Sequence, residues 1–137
     1  MNSYLLDTNV VSELRKMKPH RAVTAWLSGL REDQLFLSAV TLGELQAGVE
    51  RVGSQDREKA NEIEAWVDRM AESCRILPMD GPCFREWGRL MNGKPDRLVK
   101  DAMMAATARI NNLTVATRNE RDFRNFEVSV LNPFKSS

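Results

Sequence analysis

Short apolar runs alternate along this chain with stretches of helical periodicity. Tyr4-Leu5-Leu6 stops abruptly at Asp7-Thr8-Asn9, the pattern of a short buried strand entering a polar turn. Comparable runs stand at Leu35-Phe36-Leu37, Arg75-Ile76-Leu77, Leu113-Thr114-Val115-Ala116 and Val128-Ser129-Val130-Leu131, which predicts five short strands. Between them the period becomes that of a helix. Ile63, Trp66, Val67, Met70 and Cys74 define one apolar stripe, and Val99, Ala102, Met103, Ala106 and Ile110 a second. Leu42, Leu45, Val49 and Val52 give a third behind the capping residue Ser38, and Phe84, Trp87 and Met91 a fourth. Strands alternating with helices predict an α/β fold: a mostly parallel five-stranded sheet with helices on both faces, because right-handed crossovers place them there. Arg15 to His20, Gly53 to Lys59 and Gly93 to Arg97 read as turns, none long enough to link two domains.

The length of 137 residues therefore predicts a single domain spanning 1–137. A hydrophobic content of 42% with 28% charged residues excludes a disordered or fibrous chain. No apolar run is long enough for a membrane helix, and the start MNSYLLDTNVV lacks the regions of a signal peptide, so a cytoplasmic location is expected. Cys74 and Cys83 form no C-x-x-C pair and are expected to be packing residues, as are Met103 and Met104. A net charge of +1 gives no global attraction for nucleic acid, so any such contact rests on local patches, with Arg118, Arg121 and Arg124 as one candidate.

In open α/β sheets ligands sit beyond the carboxyl ends of the strands, which directs attention to Asp7 after the first strand and to Thr117-Arg118-Asn119-Glu120-Arg121-Asp122 after the fourth. Glu44 and Asp101 lie beside apolar helical stripes that could bring them to the same edge. Carboxylates gathered closely repel one another unless cations or protons compensate them, so such a cluster implies a hard metal, Mg²⁺ or Mn²⁺. Metal-bound water can cleave a phosphodiester without a histidine or cysteine, consistent with a chain whose single histidine is His20. Each acid alone has an ordinary alternative: a solvated helix face for Glu44, and a turn-capping role for Asp7 or for Asp122 ahead of Phe123.

Four segments in order, Leu5-Leu6-Asp7-Thr8-Asn9-Val10-Val11-Ser12-Glu13-Leu14, Thr41-Leu42-Gly43-Glu44-Leu45, Asp101 to Ala108, and Thr117-Arg118-Asn119 with Asp122-Phe123, closely resemble the VapC toxins of toxin–antitoxin pairs, in particular their FitB-like branch. The likeness extends to the ending Leu131-Asn132-Pro133-Phe134. It implies a PIN-like three-layer fold and a Mg²⁺- or Mn²⁺-dependent endoribonuclease held in check by a cognate antitoxin. It makes Asp7, Glu44 and Asp101 the core metal-binding acids, with Asp122 and Asn119 at a fourth corner and Thr8, Asn9 and Thr117 orienting them. Where many PIN domains carry an acid two residues after the Thr, this chain has Asn119, with Asp122 three residues further on, so either could face the metal. Asn92 to Lys100 also departs from the more apolar approach to the third acid found in many relatives. Homodimerisation and a transfer or ribosomal RNA substrate are implied by the same likeness. A haloacid-dehalogenase phosphatase would need an acid at the position of Asn9, and a receiver domain a late Lys that is not evident. The remaining rival is a PIN-like module that binds RNA or protein without cutting.

Overall fold

A computed structural model describes residues 2–135; Met1, Ser136 and Ser137, the ends of the expected 1–137 domain, lie outside the described residues. The strands are β1 (Tyr4–Leu6), β2 (Leu35–Ser38), β3 (Arg75–Leu77), β4 (Thr114–Ala116) and β5 (Val130–Leu131). The helices are α1 (Thr8–Glu13), α2 (Arg21–Ser28), α3 (Ala39–Gly53), α4 (Arg57–Ser73), α5 (Gly81–Leu90), α6 (Val99–Ile110) and α7 (Glu120–Phe123). All four strand pairings are parallel and the spatial order is β3-β2-β1-β4-β5. The chain thus winds outward from β1 through β2 to β3, then returns to the other side of β1 for β4 and β5. That reversal places the carboxyl ends of β1 and β4 side by side, with Leu6 opposite Ala116 and the Asp7 amide donating to the Ala116 carbonyl at 2.9 Å.

Alternation along the central strand divides the core. Tyr4 and Leu6 pack with α1, α2, α3 and α4, whereas Leu5 packs with α5, α6 and the segment from Phe123 to Phe126. Both faces of the sheet are covered, as the alternating pattern predicts. Helix α3 follows β2 directly, its start capped by Ser38 Oγ accepting from the Val40 amide, so its first turns lie at the carboxyl edge of the sheet. Helix α6 precedes β4 and runs back along the sheet, which puts its first turn at the same edge. These two directions decide where Glu44 and Asp101 lie.

Several local features differ from the pattern-based expectation. The segment after Asp7 is a helix, α1, instead of a polar turn: Asp7 caps it through Oδ1 to the Thr8 amide, and Val10 and Val11 are fully buried. Six residues are too few for a period to show. Helix α2, eight residues long, is likewise too short for a clear period; His20 Nδ1 caps it by accepting from the Ala22 amide, and Trp26 packs edge-on against Tyr4. The inward face of α5 uses Cys83, Trp87 and Leu90, while Phe84 is exposed. In α6 the burial is nearly circumferential from Met104 to Ala108, because small side chains let α5 and the sheet approach closely, and Ile110 is left exposed at the end. The strand expected from Val128 is limited to Val130 and Leu131.

Candidate active site

Asp7 is the most buried acid of the predicted set, 8% exposed, and its carboxylate is held from three directions. The Thr8 amide donates to Oδ1 at 2.8 Å; the Thr117 hydroxyl at 2.7 Å and the Asn9 side-chain amide at 3.3 Å donate to Oδ2. Thr117 comes from the end of β4, so the pairing of β1 with β4 is what brings the two together. Burial raises the Asp7 pKa, the hydrogen bonds from Thr117 and Thr8 oppose that rise, and the Glu44 charge adds to it.

Thr117 is a junction. Its Oγ1 also accepts from the Asn119 amide at 2.9 Å and from Asn9 Nδ2 at 3.3 Å, while Asn9 Oδ1 accepts from the Arg118 amide at 3.1 Å. The loop after β4 is therefore stitched to the start of α1. Glu44, in the second turn of α3, is reached by the Thr8 hydroxyl, which donates to Oε1 at 2.9 Å; Thr8 also lies 3.5 Å from the buried Thr41 hydroxyl. Of the pair Asn119 and Asp122, the asparagine donates to Asp122 Oδ2 at 2.9 Å, so the two act on the pocket as one unit.

Asp101, in the first turn of α6, ties these pieces together electrostatically. Its pKa is raised to about 6 by burial and then by the charges of Asp7, Asp122 and Glu44, with Arg97 opposing. Acids from four separate elements thus feel one another at the carboxyl edge of the sheet. Two cations are drawn to this potential: Arg97 Nη1 lies 3.1 Å from Asp122 Oδ1, and Lys100 Nζ 3.8 Å from Glu44 Oε2. The hydrogen bond from Asn119, followed by Arg97, holds the Asp122 pKa low. Among the described residues, no three acidic, histidine or cysteine side chains stand as a ready-made coordination shell.

Thr41, the first residue of the Glu44 motif, and Arg97 and Lys100, from the divergent Asn92 to Lys100 segment, also border the pocket. The only signal for the two cations is their position, one turn and one residue before Asp101. The basic side chains considered for phosphate contact are partly engaged elsewhere: Arg118 stacks on Phe134 at 3.8 Å, and Arg124 lies 3.6 Å from Glu120. The cavity between α2 and the C-terminal segment, lined by Trp26, Leu131 and Pro133, includes none of the acids.

Comparison with known proteins identifies the family. Residues 4–128 match the PIN domain family. The chain is 36% identical to Toxin FitB of Neisseria gonorrhoeae, over 95% of this chain and 97% of that protein. It is also 36% identical to VapC ribonuclease Y4jK of Sinorhizobium fredii, over 96% and 97% respectively. The crystal structure of FitAcB from Neisseria gonorrhoeae superposes with a TM-score of 0.85 at 34% identity, covering 96% of this chain and 98% of that one. The fold, the order of its acidic motifs and these relatives together show that the chain belongs to the PIN-domain family, in its branch of VapC and FitB toxins.

Proposed function

We propose that this protein is an endoribonuclease that uses Mg²⁺ or Mn²⁺ and acts as the toxin of a type II toxin–antitoxin pair. The observation that carries this reading is the coupling of Asp101 to Asp7, Asp122 and Glu44, four acids from different parts of the chain whose charges meet at one edge of the sheet. The names of its relatives, a toxin and a VapC ribonuclease, point the same way.

The donor chemistry fits a hard divalent cation. Every candidate ligand is an oxygen, and the pocket already attracts Arg97 and Lys100 to its outer acids. Asp7, Glu44 and Asp101 would hold the ion, with Asp122 and Asn119 at the fourth corner. Bound there, it supplies Lewis-acid polarisation of a phosphodiester and activation of water near neutral pH. The protein's own part is positioning. Thr117, Asn9 and the Thr8 amide fix the Asp7 carboxylate, and the Thr8 hydroxyl fixes Glu44. Asp101, with a pKa near 6, is largely ionised at neutral pH and so able to serve as a ligand there.

A cognate antitoxin would restrain the enzyme by covering this pocket, and a basic side chain from it would offset the same repulsion that a metal does. No helix among the described residues is long and apolar enough to cross a membrane. Digestion of labelled transfer and ribosomal RNA by the purified protein tests the reading. Cleavage is expected with Mg²⁺ or Mn²⁺ and none in excess chelator; equal cleavage in both, or none with metal, overturns it and leaves the non-cutting PIN module.

A further inference from the structure

Arg97 and Lys100 bracket Asp101 at the entry to α6. Arg97 lies in a 3-10 turn over Asp96–Leu98 and Lys100 in the first turn of the α-helix that continues from it. Residues three apart on such a segment share one side, and each of these cations reaches an acid on a different wall of the pocket: Arg97 to Asp122, Lys100 to Glu44. The acids are the sheltered partners, with side chains 24% and 29% exposed, while the cations are 65% and 68% exposed. Ion pairs with so much solvent access are weak, so these two side chains are held loosely at the mouth. Asp122 accepts from Asn119 through one oxygen and from Arg97 through the other, so the carboxylate is fixed while the guanidinium stays exposed.

We infer that Arg97 and Lys100 are phosphate-gripping residues for the RNA backbone, resting on Asp122 and Glu44 until substrate arrives. The inference rests on the reading of the pocket as an RNA-cutting centre. A surface of near-zero net charge needs a local device to hold a polyanion beside a cluster of acids, and two cations on either side of Asp101 supply one. The guanidinium can fork two oxygens of one phosphate, and the ammonium acts as a point charge on a neighbouring one. A divalent cation held by the acids would compete with Arg97 and Lys100 for Asp122 and Glu44, and the two side chains would then be available to phosphate oxygens.

Anisotropy of a short fluorescein-labelled single-stranded RNA, titrated with protein in chelator at several salt concentrations, isolates binding from cleavage. Arg97→Gln and Lys100→Gln should each weaken binding several-fold and flatten the plot of log affinity against log salt by about 0.7. Arg97→Lys should recover most of the slope. Arg75→Gln, at the first residue of β3 and so at the opposite, amino-terminal edge of the sheet, should change neither. Mn²⁺ affinity, read from the metal-dependent melting shift, should stay equal or tighten in the two Gln variants, since a competing cation is gone. Unchanged RNA binding in both Arg97→Gln and Lys100→Gln, an equal loss in Arg75→Gln, or weakened Mn²⁺ affinity overturns the inference. A wild type that fails to cut RNA with metal overturns the functional reading instead, and the salt slopes in chelator decide the role of Arg97 and Lys100 separately.

Discussion

Replacing Asp101 with Asn should stabilise the metal-free protein at neutral pH, the opposite of what removing a structural aspartate does. The Asp101 pKa is about 6 in the folded chain against an ordinary 3.8, raised first by burial and then by three neighbouring carboxylates. The folded state therefore holds its proton more tightly than the unfolded one, so ionisation costs stability. The penalty is absent below about pH 4, grows as pH rises toward about 6, and persists above. Undiluted, that difference corresponds to roughly 3 kcal/mol. Asp101 is only partly buried, and screening by water reduces the figure to about 1 kcal/mol. Asn keeps the shape and removes the charge, so Asp101→Asn should melt about 4 °C higher than the wild type in chelator at pH 7. At pH 3.5 the two should melt together. Adding Mn²⁺ should reverse the order, because the wild type gains binding free energy that the variant lacks. Thermal unfolding by circular dichroism across pH, with and without Mn²⁺, measures all of this. A variant that melts lower than wild type at pH 7 in chelator, with an unchanged Mn²⁺ response, refutes the account of Asp101.

Asp7→Asn should cost at least about 100-fold in RNA cleavage, more than roughly 2.7 kcal/mol of barrier, while the circular dichroism spectrum and melting in chelator stay close to wild type. Thr117→Val removes the buried hydroxyl that donates to Asp7 at 2.7 Å and should destabilise by about 1–3 kcal/mol in urea unfolding. Losing that bond also raises the Asp7 pKa further, so the acid limb of the cleavage profile should move to higher pH; a limb that stays put shows that Thr117 does not tune Asp7. Leu5→Ala, at a fully buried position beneath α6, should cost about 2–5 kcal/mol of stability without altering Mn²⁺ affinity measured well below its melting temperature.

The sheet and the larger helices are legible because their faces are wide. The stripe from Ile63 to Met70 is long enough to show a period, and the strand runs end at polar residues. What pattern misses has local causes. Helix α1 is six residues long and begins with Asp7-Thr8-Asn9, so its polar cap looks like a turn. Phe84 was drawn to the core by its hydrophobicity, yet Cys83 occupies that position, because the N-cap of α5 at Asp80 sets the helix phase. In the pocket, Asp7 is readable as an acid directly after a buried strand, and Glu44 and Asp101 through the wording of their motifs. The choice between Asn119 and Asp122 was not readable, since it depends on a loop whose path is set by hydrogen bonds to Thr117 and Asn9 from distant parts of the chain. Arg97 and Lys100 carry no motif, and only the folded chain shows them against the acids.

The central claim is that the acids around Asp101 hold the divalent ion that lets this protein cut RNA. Following Mn²⁺ binding by the melting shift and RNA cleavage by gel in the same titration tests it most directly. The account predicts that both rise over the same Mn²⁺ range in the wild type, with no cleavage in chelator, and that Asp7→Asn and Asp101→Asn lose or greatly weaken both responses together. Cleavage that survives chelation, or that persists in Asp7→Asn while its Mn²⁺ response is gone, would contradict it.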